Sequence, residues 1–215
     1  MPNVKSKQYR KFLDKGIIDI LTKEDIKRAL KNVKGINGKY IEEGRALLVT
    51  LYLTGARPVE ALELVAKDFT KVDSYLVIQV QAAKKGVSRP IYIPYRLSFA
   101  KLIWEYVSCC FSDAFVFYHY KGEYKRVSYG KNNERLERIE TSDKLRYHVK
   151  KWFKGVVDDS ITTYFLRHNR FSQLAQEGVT IQDIMFLKGA KSIESVRPYV
   201  HLSTKKAKEL AKKIK

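Results

Sequence analysis

The first segment that could do chemistry places an arginine at the start of a predicted helix. In residues 53–60, LTGARPVE, Arg57 follows a glycine turn and precedes Pro58. A helix N-terminus already attracts anions, and a guanidinium there adds a bidentate cation. Glu60 lies one turn later on the same face and could orient Arg57. The segment predicts a phosphate site, although a purely structural Arg–Glu pair fits it nearly as well.

Two later segments contain further polar side chains that could bind or attack a phosphate. In residues 163–171, TYFLRHNRF, the side chains of Tyr164, Arg167 and His168 share one face of a predicted helix. Three polar groups could therefore converge on one anion. Taken alone, this segment is better explained by a tyrosine at the edge of the core beside exposed cations. Residues 189–201 contain Tyr199, a candidate nucleophile, but one tyrosine among 14 carries no weight by itself.

The charge of the chain favours a polyanionic partner. Lys and Arg number 42 against 23 Asp and Glu, which gives a net charge of +19 and a pI near 9.8. Self-repulsion on this scale lowers stability, and nucleic acid is a better explanation for it than a membrane surface. A soluble basic protein, or one from a thermophile rich in Lys, Glu, Ile and Tyr, is the alternative.

The sequence lacks the patterns of a membrane-spanning, an exported or a metal-binding protein. The longest apolar stretches, such as Ala46–Leu53 and Tyr75–Val80, fall well short of the roughly 20 residues of a membrane span, and no signal-peptide core follows the basic N-terminus. We therefore expect a soluble protein of the host cell's cytoplasm or nucleoid, without a membrane partner. The adjacent Cys109 and Cys110 suit neither a disulfide nor a zinc site, and the four histidines lack metal-ligand spacing, so we expect no metal.

The elements that must position these residues are mostly helical. Helical patterns and caps are found near residues 22–34, 41–54, 58–65, 97–107, 143–154, 163–177, 180–187 and 203–213. The β-rich runs Tyr75–Val80 and Pro90–Pro94, joined by a basic stretch, predict a hairpin or small antiparallel sheet. Residues 121–135 are predicted to be a loop, and the aromatic run 115–120 is unassigned. The expected fold is mostly α with a small antiparallel β-sheet (α+β), without an internal domain boundary.

Together, and in this order, the three segments resemble the tyrosine recombinase, or phage integrase, family, and especially its archaeal virus and plasmid members. The likeness covers about residues 20–205 and is carried by TGARPVEALEL, by YFLRHNRFSQLAQEG and by YVH at 199–201. It implies the catalytic-domain fold of that family. It also implies a site-specific recombinase that acts on double-stranded DNA in integration or excision, through a 3′-phosphotyrosyl intermediate and without a cofactor.

The resemblance assigns roles residue by residue. Arg57 and Arg167 become the phosphate clamps and Tyr199 the nucleophile. The family's catalytic lysine lies in the turn between the two strands, which favours Lys84, with Lys85 close behind. The alternative for these two lysines is a solvated hairpin turn that contacts phosphate only loosely.

Two positions depart from the family pattern. Tyr164 stands where a histidine is usual three residues before the second arginine, and Ala190 stands where a histidine or tryptophan is usual nine residues before the nucleophile. Tyr164 keeps a hydroxyl donor and stays among the expected catalytic residues, whereas Ala190 has no side-chain donor. The remaining expected supporting or compensating residues are Glu60, Lys85, His168, Lys188, Lys191 and His201. A weakened or partner-dependent active site is the alternative.

The expected organisation is a single catalytic domain over 1–215, with a core at about 20–202 and an N-terminal core-binding domain absent or removed. The Lys-rich tail 203–215 resembles the segment that family members pack on a neighbouring subunit, and assembly on DNA as a dimer or tetramer is expected. Docking of this tail on its own domain fits its apolar pattern equally well. The competing functions are a type IB topoisomerase that relaxes DNA, or a noncatalytic DNA-binding protein that retains the fold.

Overall fold

The computed structural model of the chain describes residues 21–83, 87–121, 124–128, 134–138, 141–157 and 161–199, with residues 124–128, 134–138 and 141–143 described as backbone only. The predictions made for Lys84, Lys85, His201 and the tail 203–215 lie outside these residues. Among the helices described, none is both long enough and apolar enough to cross a membrane.

The first three helices confirm their sequence predictions. Helix α1 spans Lys23–Lys31 and begins with a reciprocal pair of hydrogen bonds between Thr22 and Asp25. Helix α2 spans Ile41–Thr54 and ends at a glycine in the left-handed region. The chain then turns directly into helix α3, Pro58–Leu62, in which proline occupies the first turn, where its missing N–H has no cost.

A three-stranded antiparallel sheet follows, in the order β1–β2–β3. Its strands are β1, Phe69–Val72, β2, Tyr75–Val80, and β3, Arg89–Pro94. Strands β2 and β3 form the predicted hairpin, with Val80 opposite Arg89. Strand β1 was not predicted, because only its first residue is buried and the alternation that marks a half-buried strand is missing.

Helix α4, Ser98–Val107, is confirmed, and the unassigned aromatic run ends in a short 3₁₀ helix at Tyr118–Tyr120. The loop predicted over 121–135 is wrong. Strands β4, Tyr124–Ser128, and β5, Glu134–Arg138, pair there as a separate antiparallel hairpin. Both strands are dominated by charged and polar residues, so the apolar alternation used to recognise strands is missing and backbone pairing alone defines them.

Three helices complete the described fold: α5, Thr141–Trp152, α6, Thr163–Gln176, and α7, Ile181–Lys188. Helix α6 begins with a Thr162 side-chain cap, and Thr180 caps α7 in the same way. Gly178 has a left-handed backbone just after α6, as predicted from its place in the sequence.

The core has two parts of unequal size. The larger one surrounds α2, whose Leu47, Leu48 and Leu51 are fully buried and which packs against both α4 and α6. The smaller apolar cluster joins the end of α6 to α7 and the residues that follow it; its buried members are Phe171, Leu174, Ala175, Ile184, Val196 and Tyr199. The predicted class, mostly α with a small antiparallel sheet, is confirmed.

Candidate active site

A single buried carboxylate organises the first half of the site. Arg57 is the N-cap of α3 and Glu60 its third residue, so the local geometry of a helix start brings the two together. The Arg57 backbone N–H donates to Glu60 Oε2 at 2.8 Å, and Arg57 Nη1 donates to Oε1 at 2.6 Å. The Glu60 side chain is fully buried, whereas that of Arg57 is 34% exposed. The predicted Arg57–Glu60 pair is therefore present, with the arginine facing the surface.

Arg89, at the start of β3, is a second partner of the same carboxylate. Its Nη2 donates to Glu60 Oε2 at 3.0 Å, and its Nε donates to the Leu187 carbonyl near the end of α7 at 2.7 Å. The side chain is fully buried. In the sequence, Arg89 stands only at the end of the basic stretch between the two strands. The signal that could have identified it is strand alternation, because Arg89 lies on the same inward face as Ile91 and Ile93.

Arg167 completes this group from α6. Its Nη1 donates to the Gly55 carbonyl and its Nη2 to the Lys188 carbonyl, both at 2.6 Å. Nη1 also lies 3.8 Å from Glu60 Oε2. One guanidinium thus links the end of α2, the end of α7 and the Glu60 carboxylate. We call Arg57, Glu60, Arg89 and Arg167 the arginine centre.

The arginine centre has more positive than negative charge. Burial alone would raise the pKa of the Glu60 carboxyl, but hydrogen bonds from Arg89 and Arg57 outweigh it and hold that pKa below its ordinary value. Burial, followed by repulsion from Arg57, lowers the pKa of Arg167 to about 10, so this guanidinium stays charged at neutral pH. Three guanidiniums against one carboxylate leave an excess of two positive charges. Such a site favours an anion with several oxygen acceptors.

Tyr199 points inward. Its side chain is fully buried in the smaller apolar cluster, and its hydroxyl lies 2.6 Å from His168 Nδ1. Burial lowers the pKa of His168 to about 3 and raises the pKa of the Tyr199 phenol. Both groups are therefore neutral near pH 7, and the phenol donates its hydrogen bond to the imidazole.

Lys188, the last residue of α7, joins the two halves. Its carbonyl accepts from Arg167, its Nζ donates to the Ser195 carbonyl, and the same Nζ lies 5.1 Å from the centroid of the Tyr199 ring. The side chain is buried, and this burial, with repulsion from Arg167 and Arg57, lowers the pKa of the amine to about 7. We call Lys188, His168 and Tyr199 the tyrosine centre.

Two of the remaining predicted site residues, Tyr164 and Lys191, are exposed and are members of neither centre. Tyr164 lies one turn before the buried Arg167 and is 47% exposed. Although the helical spacing puts the two residues on one face, Tyr164 points outward and Arg167 points inward. Lys191 is exposed. Lys84, Lys85 and His201 belong to the part of the chain outside the described residues. Within the described residues, no cluster of His, Cys, Asp and Glu is arranged to hold a metal ion.

Comparisons with known proteins place the chain in a family. Residues 19–206 match the profile of the phage integrase family. Among solved structures, the XerH site-specific recombinase bound to its difH substrate aligns with a TM-score of 0.58 and 20% identity, over 90% of this chain and 54% of that one. The XerA recombinase aligns with a TM-score of 0.57 and 20% identity, over 92% and 65%.

The catalytic domain of bacteriophage HP1 integrase aligns with a TM-score of 0.50 and 18% identity, over 91% of this chain and 95% of that domain. At these identities the solved structures show a shared fold. The chain spans about half the length of the XerH recombinase that it matches. No curated protein matches it. The expected likeness to archaeal virus and plasmid members stays a prediction.

Proposed function

The chain belongs to the phage integrase family, and we propose that it is a site-specific DNA recombinase that cleaves and rejoins DNA through a covalent bond to Tyr199. The observation that carries this proposal is the arginine centre. It gathers three guanidiniums around one buried carboxylate. Its Arg167 donates to the carbonyl of Lys188, whose amine lies over the Tyr199 ring.

The scissile phosphate would bind at the exposed side of the arginine centre. Arg57 is the partly exposed member and meets the phosphate first. Arg167 uses two of its five N–H groups on backbone carbonyls, so it retains donors for a phosphate oxygen. Arg89 is fully buried and acts on Glu60 instead. The two clamp residues neutralise nonbridging oxygens, which lowers the barrier to attack by an oxygen nucleophile.

In the proposed reaction, the Tyr199 oxygen bonds to phosphorus, and the bond to the 5′ oxygen of the next nucleotide breaks. Tyr199 loses its proton, and the departing oxygen gains one, for which the hairpin lysine Lys84 or Lys85 is the proposed donor. The phosphoester is exchanged and not hydrolysed. A second DNA hydroxyl can therefore reverse the step without ATP.

The inward position of Tyr199 requires a rearrangement before attack. The phenol must leave His168 Nδ1 and turn toward the phosphate held by Arg57 and Arg167. In the described structure it is held by one side-chain hydrogen bond, by ring contacts with His168 and the Lys188 amine, and by a small apolar cluster. We propose that DNA binding at the arginine centre drives this exchange.

Double-stranded DNA is the proposed partner, supported by the net charge of +19 and by the solved recombinase structures, one of which is a lambda integrase dimer bound to a core site. We also propose self-assembly on DNA, an intracellular location, and a catalytic core at about 20–202. Phosphate contacts supply affinity without much sequence selectivity, so site choice requires further contacts to bases.

A suicide-substrate assay tests the proposal. Wild type and Tyr199→Phe are incubated without metal with nicked duplexes covering candidate sites, and denaturation-resistant protein–DNA adducts are measured. We expect an adduct with wild type and none with Tyr199→Phe. An adduct with both would contradict the nucleophile. Tight binding without any adduct would favour a noncatalytic DNA-binding protein, and relaxation of supercoils without recombination would favour a topoisomerase.

A further inference from the structure

The proposed reaction leaves one proton without an acceptor. Tyr199 must lose its phenolic proton as it bonds to phosphorus, and burial makes that loss harder by raising the pKa of the phenol. At the two family positions where an imidazole or indole is usual, this chain has Tyr164 and Ala190. Tyr164 is exposed and Ala190 lacks a polar group. An acceptor must therefore come from elsewhere in the site.

The Lys188 amine is placed for this role. Its Nζ lies over the Tyr199 ring, 5.1 Å from the centroid, and donates to the carbonyl of Ser195, four residues before the nucleophile. Its own carbonyl is bound by Arg167, one of the proposed phosphate clamps. The amine is thus tied both to the phosphate site and to the segment that carries the nucleophile. The lysine stem is flexible enough for Nζ to follow the phenol when it turns outward.

We propose that Lys188 is a further catalytic residue, which takes the phenolic proton from Tyr199 during cleavage and returns it during rejoining. This inference rests on the proposed recombinase function. In cleavage, the neutral amine gains the proton as the bond between the Tyr199 oxygen and phosphorus forms. In rejoining, the ammonium gives the proton back to the departing phenol oxygen. The proton taken up by the 5′ oxygen comes from a different donor, so the two transfers balance.

The other charged groups around Lys188 are unsuited to this role. Arg167 and Arg57 are cations, and Arg89, bound to the neighbouring carbonyl, is paired with Glu60. His168 touches the phenol, but its pKa of about 3 makes it a weak base that holds the hydroxyl without removing its proton. Lys188, with a pKa of about 7, has a substantial neutral fraction at neutral pH.

The pH dependence of wild-type cleavage is the first test. Single-turnover adduct formation is measured on a saturating nicked duplex between about pH 5.5 and about pH 9. We expect the rate to rise with pH and to level off above a midpoint near 7, because protonated Lys188 cannot accept a proton. This test needs no variant. A rate that does not change across this range would overturn the proposal.

Three variants test whether the pH midpoint belongs to Lys188. Lys188→Met should lower the plateau rate about 100-fold or more and remove the midpoint near 7, since general base catalysis is typically worth at least that factor. Lys188→Arg should not restore the rate, because a guanidinium stays protonated. Lys67→Met, at an exposed lysine paired with Asp113, is the matched control and should cleave like wild type. Circular dichroism melts establish that each variant is folded.

A duplex with sulfur in place of the bridging 5′ oxygen separates the two proton transfers. A thiolate leaves without a proton, so this substrate should rescue a variant that lacks the leaving-group acid and should not rescue Lys188→Met. Rescue of Lys188→Met, recovery by Lys188→Arg, or an unchanged midpoint in Lys188→Met would overturn the proposal while leaving the recombinase function intact. Absence of any adduct with wild type would overturn both.

Discussion

The arginine centre and the tyrosine centre are built from different kinds of contact. The arginine centre is a charged network in which Glu60 is bound by residues from three separate parts of the chain, next to the larger core. The tyrosine centre combines the Tyr199–His168 hydrogen bond with a buried lysine amine over the tyrosine ring and a small apolar cluster. The first is held together by ion pairs among its own residues. The second holds the Tyr199 hydroxyl away from the surface.

This contrast indicates how the site divides its work. A charged group stabilises a transition state best when it is already positioned before the reaction, because moving it into position would cost part of the stabilisation energy. A nucleophile has no such requirement until the phosphate has bound. Under the proposed function, burial of the Tyr199 hydroxyl against His168 would keep it from solvent until a phosphate binds at the arginine centre.

The largest expected effect comes from removing the carboxylate at the middle of the arginine centre. Glu60→Gln leaves the buried guanidiniums without a counter-charge, and removing one partner of a buried ion pair typically costs about 3–5 kcal/mol. We expect a loss of this size in the free energy of unfolding, measured by urea denaturation, together with loss of DNA cleavage. Glu24→Gln, at an exposed pair with Lys27, is the control and should cost less than about 1 kcal/mol. Equal losses in the two variants would contradict the central role of Glu60.

Arg57→Ala should separate catalysis from stability within the arginine centre. Arg57 is partly exposed and Arg89 still neutralises Glu60, so the variant should stay folded. Loss of one preorganised charge donor typically lowers the rate about 100- to 1,000-fold, and we expect a decrease of this size in single-turnover cleavage. Arg28→Ala, at an exposed arginine paired with Asp25, is the matched control. Wild-type cleavage by Arg57→Ala would remove Arg57 from the phosphate site.

The tyrosine centre should respond to acid. Because the pKa of folded His168 is about 3, well below its ordinary value of 6.5, the unfolded chain binds a proton between these values that the folded protein does not. Stability should therefore fall as the pH drops below about 6.5, by roughly 2 kcal/mol between pH 7 and pH 5. His168→Gln should remove this part of the pH dependence in urea denaturation while leaving DNA cleavage measurable. An unchanged pH dependence would show that His168 binds protons equally in the folded and unfolded chain, which would contradict its burial as a neutral group.

The smallest expected effect is at Tyr164, which lies outside both centres. If its hydroxyl donates one hydrogen bond to the bound phosphate, Tyr164→Phe should lower cleavage by up to about tenfold, the value of a typical net hydrogen bond. Unfolding free energy should not change measurably, because the side chain is half exposed. A loss as large as that in Arg57→Ala would show that Tyr164 is one of the main catalytic residues, as expected from the family resemblance.

The fold was largely predictable because the ends of its helices are marked by residues close by in the sequence. The Thr22–Asp25 pair, the proline at the start of α3 and Gly178 after α6 each mark a boundary through chemistry within a few residues. Strands β1, β4 and β5 were missed because they lack apolar alternation. Strands of this kind are stabilised by pairing with a neighbour, and the local sequence does not contain that information.

The site residues that belong to a sequence motif could be predicted. The contacts and pKa values that depend on burial could not. The pairing of Arg57 with Glu60 follows from three-residue spacing at a helix start. The approach of Arg167 to Arg57 was implied by the family resemblance. The burial of Arg89 and the low pKa of Lys188 depend on how β3, α6 and α7 pack together, which no spacing rule reports.

The most direct test of this account is to identify the residue that becomes bound to DNA. Wild-type protein is trapped on a nicked duplex, the adduct is digested with protease and nuclease, and the nucleotide-linked peptide is sequenced by mass spectrometry. We expect the linkage on Tyr199, in the peptide that contains PYVH at 198–201. A linkage on Tyr164, or on any other residue, would contradict the proposed division between a preassembled arginine centre and a buried nucleophile.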